Sequence, residues 1–255
     1  MSTISHTKQE QHLLISGGGI GGLTAALALA QKGVTVDLFE QATEFKEVGA
    51  GLQVGPNAFR IFEQLGVTDK ISALATFPES VTLMDATQAE PIVCMPLGAD
   101  FLERFKYPYG LMHRADLHKV LLTACQGHKG ITLHTNSKIT AFSDSKDRVN
   151  ATLSSGAEVS GQGLVGADGL WSLIRQKIVN DGEPRLAGHV CYRAVVPIEK
   201  NSAIHAAKCY EPVGRARYAH GDLAHAKGNL CQYHCGFSQQ PIRGGLGYLR
   251  RSRRT

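Results

Sequence analysis

Apolar and polar positions follow two rhythms along this chain, and the first forty residues contain both. Leu13, Leu14 and Ile15 are a short apolar run of the kind that fills a strand buried on both faces. Leu23, Ala26, Leu27 and Ala30 recur at helical spacing, and Gly33 closes that helix as a C-cap. Val34, Val36, Leu38 and Phe39 then build a second strand that ends at Glu40. Between the first strand and the helix lie glycines at 17, 18, 19, 21 and 22.

Further on, Gly49 to Gly66 combines a glycine-rich loop with a helix opened by Pro56 and Asn57, with Phe59, Ile61, Phe62 and Leu65 on its buried side. Val81 to Met84 and Pro91 to Met95 alternate as an antiparallel hairpin inserted into the surrounding α/β fold. A helix starts near Ala115, just after Arg114, and turns Leu117, Val120, Leu121 and Ala124 to one face. Ile131 to Thr135 is a brief strand, while Lys138 to Phe142 and Arg148 to Leu153 form a second hairpin, with Ser155-Gly156 turning the chain toward Val159. Leu164 to Gly166 returns to buried-strand character and ends in Asp168-Gly169. The sum is α/β: a Rossmann-like βαβ fold with inserted antiparallel β hairpins.

From about Asn201 the pattern breaks. Residues 201–255 show no sustained period and hold four of the eleven histidines and three of the six cysteines. They also hold nine Lys and Arg against two Asp and Glu, whereas residues 1–200 hold 18 against 20. The overall charge of +5 is therefore a property of the tail and carries no nucleic-acid signal for the folded part. Two readings of the tail stay open: a mobile basic extension, or codons translated out of frame. The expected division is 1–180 as the nucleotide-binding domain, 181–200 as the start of a second domain and 201–255 as an irregular basic tail.

The polar N-terminal stretch MSTISHTKQEQ lacks the apolar core of a signal peptide, and no run reaches the roughly 18 apolar residues of a membrane span. A cytoplasmic chain with free thiols and no membrane partner is expected. His113, His118 and His134 share no metal-ligand spacing, and Cys231, His234 and Cys235 lack a second pair, so no metal is expected.

The chemistry lies in the glycines. Gly17, Gly19 and Gly22 satisfy G-x-G-x-x-G after a strand and at the opening of a helix, the setting in which that pattern binds a dinucleotide. Gly17 permits the tight turn, Gly19 admits a pyrophosphate close to the backbone, and Gly22 lets the helix lie close on the sheet. The unpaired amides of the first helical turn favour an anion, and Glu40 stands where an acidic residue takes ribose hydroxyls.

The segments GGGIGGLTAALALAQKG, VGAGLQVGPNAFRIFEQLG, HRADLH, GADGLWSLIR and YRAVVP together resemble the group A flavoprotein aromatic hydroxylases over roughly residues 11–200. The flavour is that of the 3-hydroxybenzoate 6-hydroxylase and salicylate hydroxylase branch. The resemblance implies that Gly17, Gly19 and Gly22 cradle the pyrophosphate of FAD and that Glu40 holds its adenosine ribose. It implies further that Arg114 binds the flavin side of the cofactor and that Asp168 and Gly169 serve both FAD and the nicotinamide cosubstrate. Tyr192 and Arg193 match a strand near the flavin, with no catalytic role assigned. The implied reaction uses NADH or NADPH and oxygen to hydroxylate a phenolic or benzoic acid, in a chain that can pair as a homodimer.

The family's second flavin motif, a Gly-Asp-Ala turn, has no counterpart. His220 to His225 only echoes it, and the substrate domain is expected to be incomplete, as in an N-terminal portion of the enzyme. The other readings are an NAD-binding dehydrogenase or reductase, a non-catalytic nucleotide-binding remnant, and a nucleic-acid binder acting through the basic tail.

Overall fold

A computed structural model describes residues 11–46, 51–84, 91–185, 191–197, 209–215, 218–223 and 230–237, with 83–84 and everything from 191 onward described through the backbone alone. The chain divides into two units, one of Met1–Gly49, Asn57–Leu74 and His113–Pro184, the other of Ala50–Pro56, Ala75–Met112 and Arg185–Thr255.

The first unit is built on four parallel strands in the order β11-β1-β2-β7, where β1 is His12–Ser16, β2 Thr35–Phe39, β7 Ile131–His134 and β11 Gly163–Gly166. With neighbours on both sides, β1 buries Leu14 on one face and Ile15 on the other, both at 0% exposure. That is why its apolar run is continuous rather than alternating.

Helix α1 (Ile20–Ala30) makes the crossover from β1 to β2 and buries Leu23, Ala26, Leu27 and Ala30. Helix α5 (Arg114–Gln126) packs beside it through Leu117, His118, Val120, Leu121 and Cys125. Arg114, expected just ahead of that helix, is its first residue. On the other sheet face, Leu14 and Phe39 pack with Ile139 and Ala151 of a three-stranded antiparallel sheet, β8 (Ile139–Asp144), β9 (Val149–Leu153) and β10 (Glu158–Gly161). Among the described residues no helix is long and apolar enough to cross a membrane.

Helix α2 (Pro56–Gln64) buries Phe59 and Phe62 edge to face, while Ile61, expected on the same side, is 41% exposed. At about 100° per residue, position 61 lies roughly 200° around the helix from Phe59, so both cannot face the core. Two helices, α3 (Thr68–Leu74) and α6 (Leu173–Val179), also belong to this unit.

In the second unit, β4 (Ser80–Met84) and β5 (Pro91–Pro96) pair antiparallel as expected. They form one side of a six-stranded sheet in the order β12-β15-β14-β13-β4-β5, with β12 at Cys191–Pro197, β13 at Cys209–Arg215, β14 at Tyr218–Leu223 and β15 at Leu230–Phe237. The region expected to be an irregular tail thus contributes three strands. A ladder is made by backbone N–H and C=O groups that nearly every residue carries, so strands can pair where side chains show no clean alternation. Gly221 and Asp222, the echo of a flavin-binding turn, lie inside β14 opposite Pro212 and Glu211, in extended ladder rather than in a turn. This unit also contains the two-stranded pair of β3 (Gly51–Val54) with β6 (Gly110–His113), and helix α4 (Ala99–Phe105).

His134, which lacks metal spacing, and His12 have a structural task. Asp37 of β2 accepts from Nε2 of His12 at 2.8 Å and from Nε2 of His134 at 3.0 Å. Partial burial pushes the Asp37 carboxyl up, but hydrogen bonds and charge from His134 and His12 outweigh it and hold the group below its ordinary 3.8. A carboxyl depressed in the folded state adds stability above its unfolded value and loses it as pH falls through the folded one. Asp37→Asn should therefore lower the thermal midpoint near neutral pH, with the gap to the parent closing as the pH drops below about 4. Unfolding curves stepped from pH 6 to about pH 2.5 check this.

Cys125 offers a second measurement. Its thiol donates to the Leu23 carbonyl at 3.3 Å, and burial pushes it up to about 11, so little thiolate forms at ordinary pH. In a limited alkylation at about pH 8, the exposed Cys94 should be modified while Cys125 is modified only after unfolding, as read by peptide mass mapping.

Candidate functional site

The parallel strands β1, β2 and β11 leave the same edge of the first sheet, and the glycine turn, Glu40 and the Asp168 turn meet there. Register explains the meeting: Ser16 lies opposite both Phe39 and Gly166, so the residues that follow emerge side by side. The amide of Gly17 donates to the Phe39 carbonyl at 2.8 Å, and that of Ala167 to the Ser16 carbonyl at 2.8 Å.

Gly17 sits at φ +106°, where an L side chain is strained, and a Cβ there would stand 2.3 Å from the Ala167 oxygen and 3.0 Å from Asp168 Cα. A Cβ on Gly22 would stand 1.9 Å from the Gly17 oxygen. The turn thus closes on its own helix at a distance only glycine allows. Gly19 is the N-cap of α1 with extended backbone; no side chain caps the helix and no acidic residue stands in its first turn. The positive end of the dipole and its amides remain available to an anion.

Glu40 is tied to this turn. Its Oε2 accepts from the Gly18 amide at 2.7 Å and its Oε1 from the Ala42 amide at 2.8 Å. Each oxygen keeps a lone pair for a ligand hydroxyl. The Gly18 carbonyl accepts from Nε2 of His118 at 2.8 Å, and His118 is only 4% exposed. Arg114 lies one turn before His118 on α5, at the helix's N-terminal end, so the two share a face.

Asp168 uses both carboxylate oxygens locally: Oδ1 accepts from Ser172 Oγ at 2.5 Å, and Oδ2 from the amides of Leu173 at 2.9 Å and Ile174 at 3.3 Å. Ser172 in turn caps α6 by accepting from the Arg175 amide at 3.0 Å. The carboxylate is half-buried and oriented by the start of that helix, directly beside the glycine turn.

Sequence reasoning missed two members of this cluster. Gly18 falls on an unspecified position of G-x-G-x-x-G, yet its Cβ would stand 2.4 Å from the Phe45 ring and its peptide groups bind both Glu40 and His118. In the sequence His118 stands out only as a metal candidate without ligand spacing. The available signal was its place four residues after Arg114, on the helix face that Arg114 shares.

Residues 10–192 match the FAD binding domain family. The chain is 42% identical over 188 residues to 3-hydroxybenzoate 6-hydroxylase 1 of Aquipseudomonas alcaligenes, covering 74% of this chain and 48% of that protein. It is 39% identical over 184 residues to 3-hydroxybenzoate 6-hydroxylase of Polaromonas naphthalenivorans (strain CJ2), covering 72% and 46%. The chain therefore spans about half the length of the curated relatives it matches. Among solved structures, Klebsiella pneumoniae HpxO complexed with FAD and uric acid superposes with a TM-score of 0.78 at 24% identity, over 93% of this chain and 58% of that one. The tetrameric form of 2-methyl-3-hydroxypyridine-5-carboxylic acid oxygenase gives 0.74 at 23%, over 93% and 60%. At these identities the superpositions show a shared fold.

Proposed function

The chain belongs to the FAD binding domain family, and on that premise we propose that it binds FAD as part of an NAD(P)H-using monooxygenase acting on a hydroxybenzoate. The observation that carries this reading is the match at 42% identity over 188 residues to a 3-hydroxybenzoate 6-hydroxylase. The glycine turn fits the cofactor: Gly17 and Gly22 let the turn close tightly on its own helix, and the start of that helix at Gly19 carries no capping side chain and no acidic residue, leaving its amides to a diphosphate.

In this reading Gly17, Gly19 and Gly22 line the pyrophosphate, and Glu40 offers its remaining lone pairs to the adenosine ribose. Arg114 gives charge-assisted bonds on the flavin side. Asp168 and Gly169 border the same edge, with the Asp168 carboxylate held still by Ser172, Leu173 and Ile174. When bound, FAD supplies the redox chemistry, taking reducing equivalents from NADH or NADPH and passing them to oxygen for hydroxylation of the ring. The protein's share is to hold, orient and shelter the reacting groups.

The test is a titration of FAD with the purified chain, followed by quenching of flavin fluorescence. Saturable quenching reversed by ADP but not by riboflavin supports the assignment of the adenosine half. Binding of NAD without binding of FAD would favour a dehydrogenase and overturn it. Oxidation of NADH or NADPH with 3-hydroxybenzoate, with hydroxylated product and hydrogen peroxide measured separately, then tests the substrate class.

A further inference from the structure

We infer that His118 is a positioning residue that locks the Gly18–Gly19 peptide with its amide turned toward the cofactor's phosphates, an inference that rests on the FAD reading above. The argument starts from the three consecutive glycines at 17 to 19. A peptide flanked by glycine on both sides can rotate with little steric resistance, because neither neighbour has a Cβ to oppose it. Its two orientations are opposite in electrostatic effect. One presents the Gly19 N–H to an anion and the other presents the Gly18 carbonyl oxygen, which repels it.

His118 selects the first orientation. A carbonyl oxygen can only accept, so the 2.8 Å contact requires the His118 proton on Nε2. Among the described residues no peptide bond is cis, and in a planar trans peptide the N–H points opposite to the C=O. With the Gly18 oxygen drawn toward buried His118, the Gly19 amide is directed away from α5, and no acceptor among the described residues takes it. The other side of Gly18 is fixed independently, by its amide on Glu40 at 2.7 Å and by the Phe45 ring. His118 and Glu40 therefore hold consecutive peptides of one loop from two different elements.

The experiment compares the parent chain with His118→Leu, which has no donor, and His118→Gln, whose amide nitrogen reaches about as far as Nε2. Two readouts are taken: FAD affinity by fluorescence quenching, and the Gly19 amide resonance of protein labelled with ¹⁵N-glycine, with and without FAD. His118→Leu is expected to weaken FAD by about tenfold, the effect of losing one net hydrogen bond. Its Gly19 amide should be shifted before FAD is added, and His118→Gln should restore both readouts. Equal FAD affinity in all three proteins, or a Gly19 amide unmoved in His118→Leu, would overturn the lock.

A loss of affinity and thermal midpoint in His118→Leu that His118→Gln does not rescue would also overturn it, leaving His118 as packing alone. If His118→Leu does not fold, His118→Asn, whose amide falls short of Gly18, takes its place in the same comparison. A parent chain that fails to quench FAD would remove the cofactor reading by itself, and the lock would then stand or fall on the Gly19 amide of the free protein.

Discussion

Gly22→Ala is expected to weaken FAD binding sharply and to destabilise the first unit. A methyl group at this position would stand 1.9 Å from the Gly17 carbonyl oxygen, a backbone atom that cannot turn aside as a side chain would. Restoring ordinary contact means moving the glycine turn off the helix by more than an ångström. Gly17 has little freedom to move, because its amide is bonded to Phe39 and the backbone of Ala167 and Asp168 leaves no room even for a Cβ on it. The expected loss is about 3 kcal/mol of stability, at the upper end for overpacking, with FAD affinity lower by about 100-fold. Gly21→Ala is the control: a Cβ there meets nothing within 4 Å, and alanine inside a helix gains roughly 0.5 to 1 kcal/mol over glycine. Urea unfolding of the two variants side by side should move their midpoints in opposite directions. A Gly22→Ala protein as stable as the parent would show that the turn yields more easily than its contacts indicate.

Glu40→Ala is expected to have the second largest effect, on stability and cofactor affinity together. The carboxylate joins the end of β2 to the glycine turn through Gly18 and reaches Ala42 as well. Removing it leaves the buried Gly18 amide without its acceptor, at a cost of about 1 to 3 kcal/mol, while exposed Ala42 recovers a bond to water. On the proposed assignment of the ribose to Glu40, FAD is expected to lose both an acceptor and the ordered turn. Glu40→Gln separates these contributions, since its carbonyl oxygen can still accept from Gly18 but carries no charge. Its thermal midpoint should return most of the way to the parent's while FAD affinity stays lower, because hydrogen bonds to an ionised acceptor are roughly twice as strong as neutral ones. Parent-like FAD affinity in Glu40→Ala would place the ribose elsewhere.

What could be read from the sequence was what is encoded locally. The apolar run at Leu13 to Ile15, the helical spacing from Leu23 to Ala30 and the strand ending at Glu40 each have a period or a punctuation mark of their own, and the structure follows them as β1, α1 and β2. The Asp168 turn was legible for the same reason, as a strand closed by Asp-Gly, although that strand, β11, lies at the edge of its sheet and is only partly buried. Contacts between distant segments were not legible. Nothing in the local pattern says that His118 reaches the Gly18 carbonyl 100 residues away, or that the amide of the unspecified Gly18 is bound by Glu40.

The same limit explains the sheets. The hairpin of β4 and β5 was recognisable as a pair, but pairing between strands is a property of backbones brought together, and only the fold assigned that pair to β13 rather than to the nucleotide sheet. Residues 209–237 lack a side-chain rhythm and still form β13, β14 and β15, because ladder hydrogen bonds are made by groups common to every residue but proline. Local periodicity determined the nucleotide-binding core of this protein; tertiary structure decided which remote side chains hold its loop in shape.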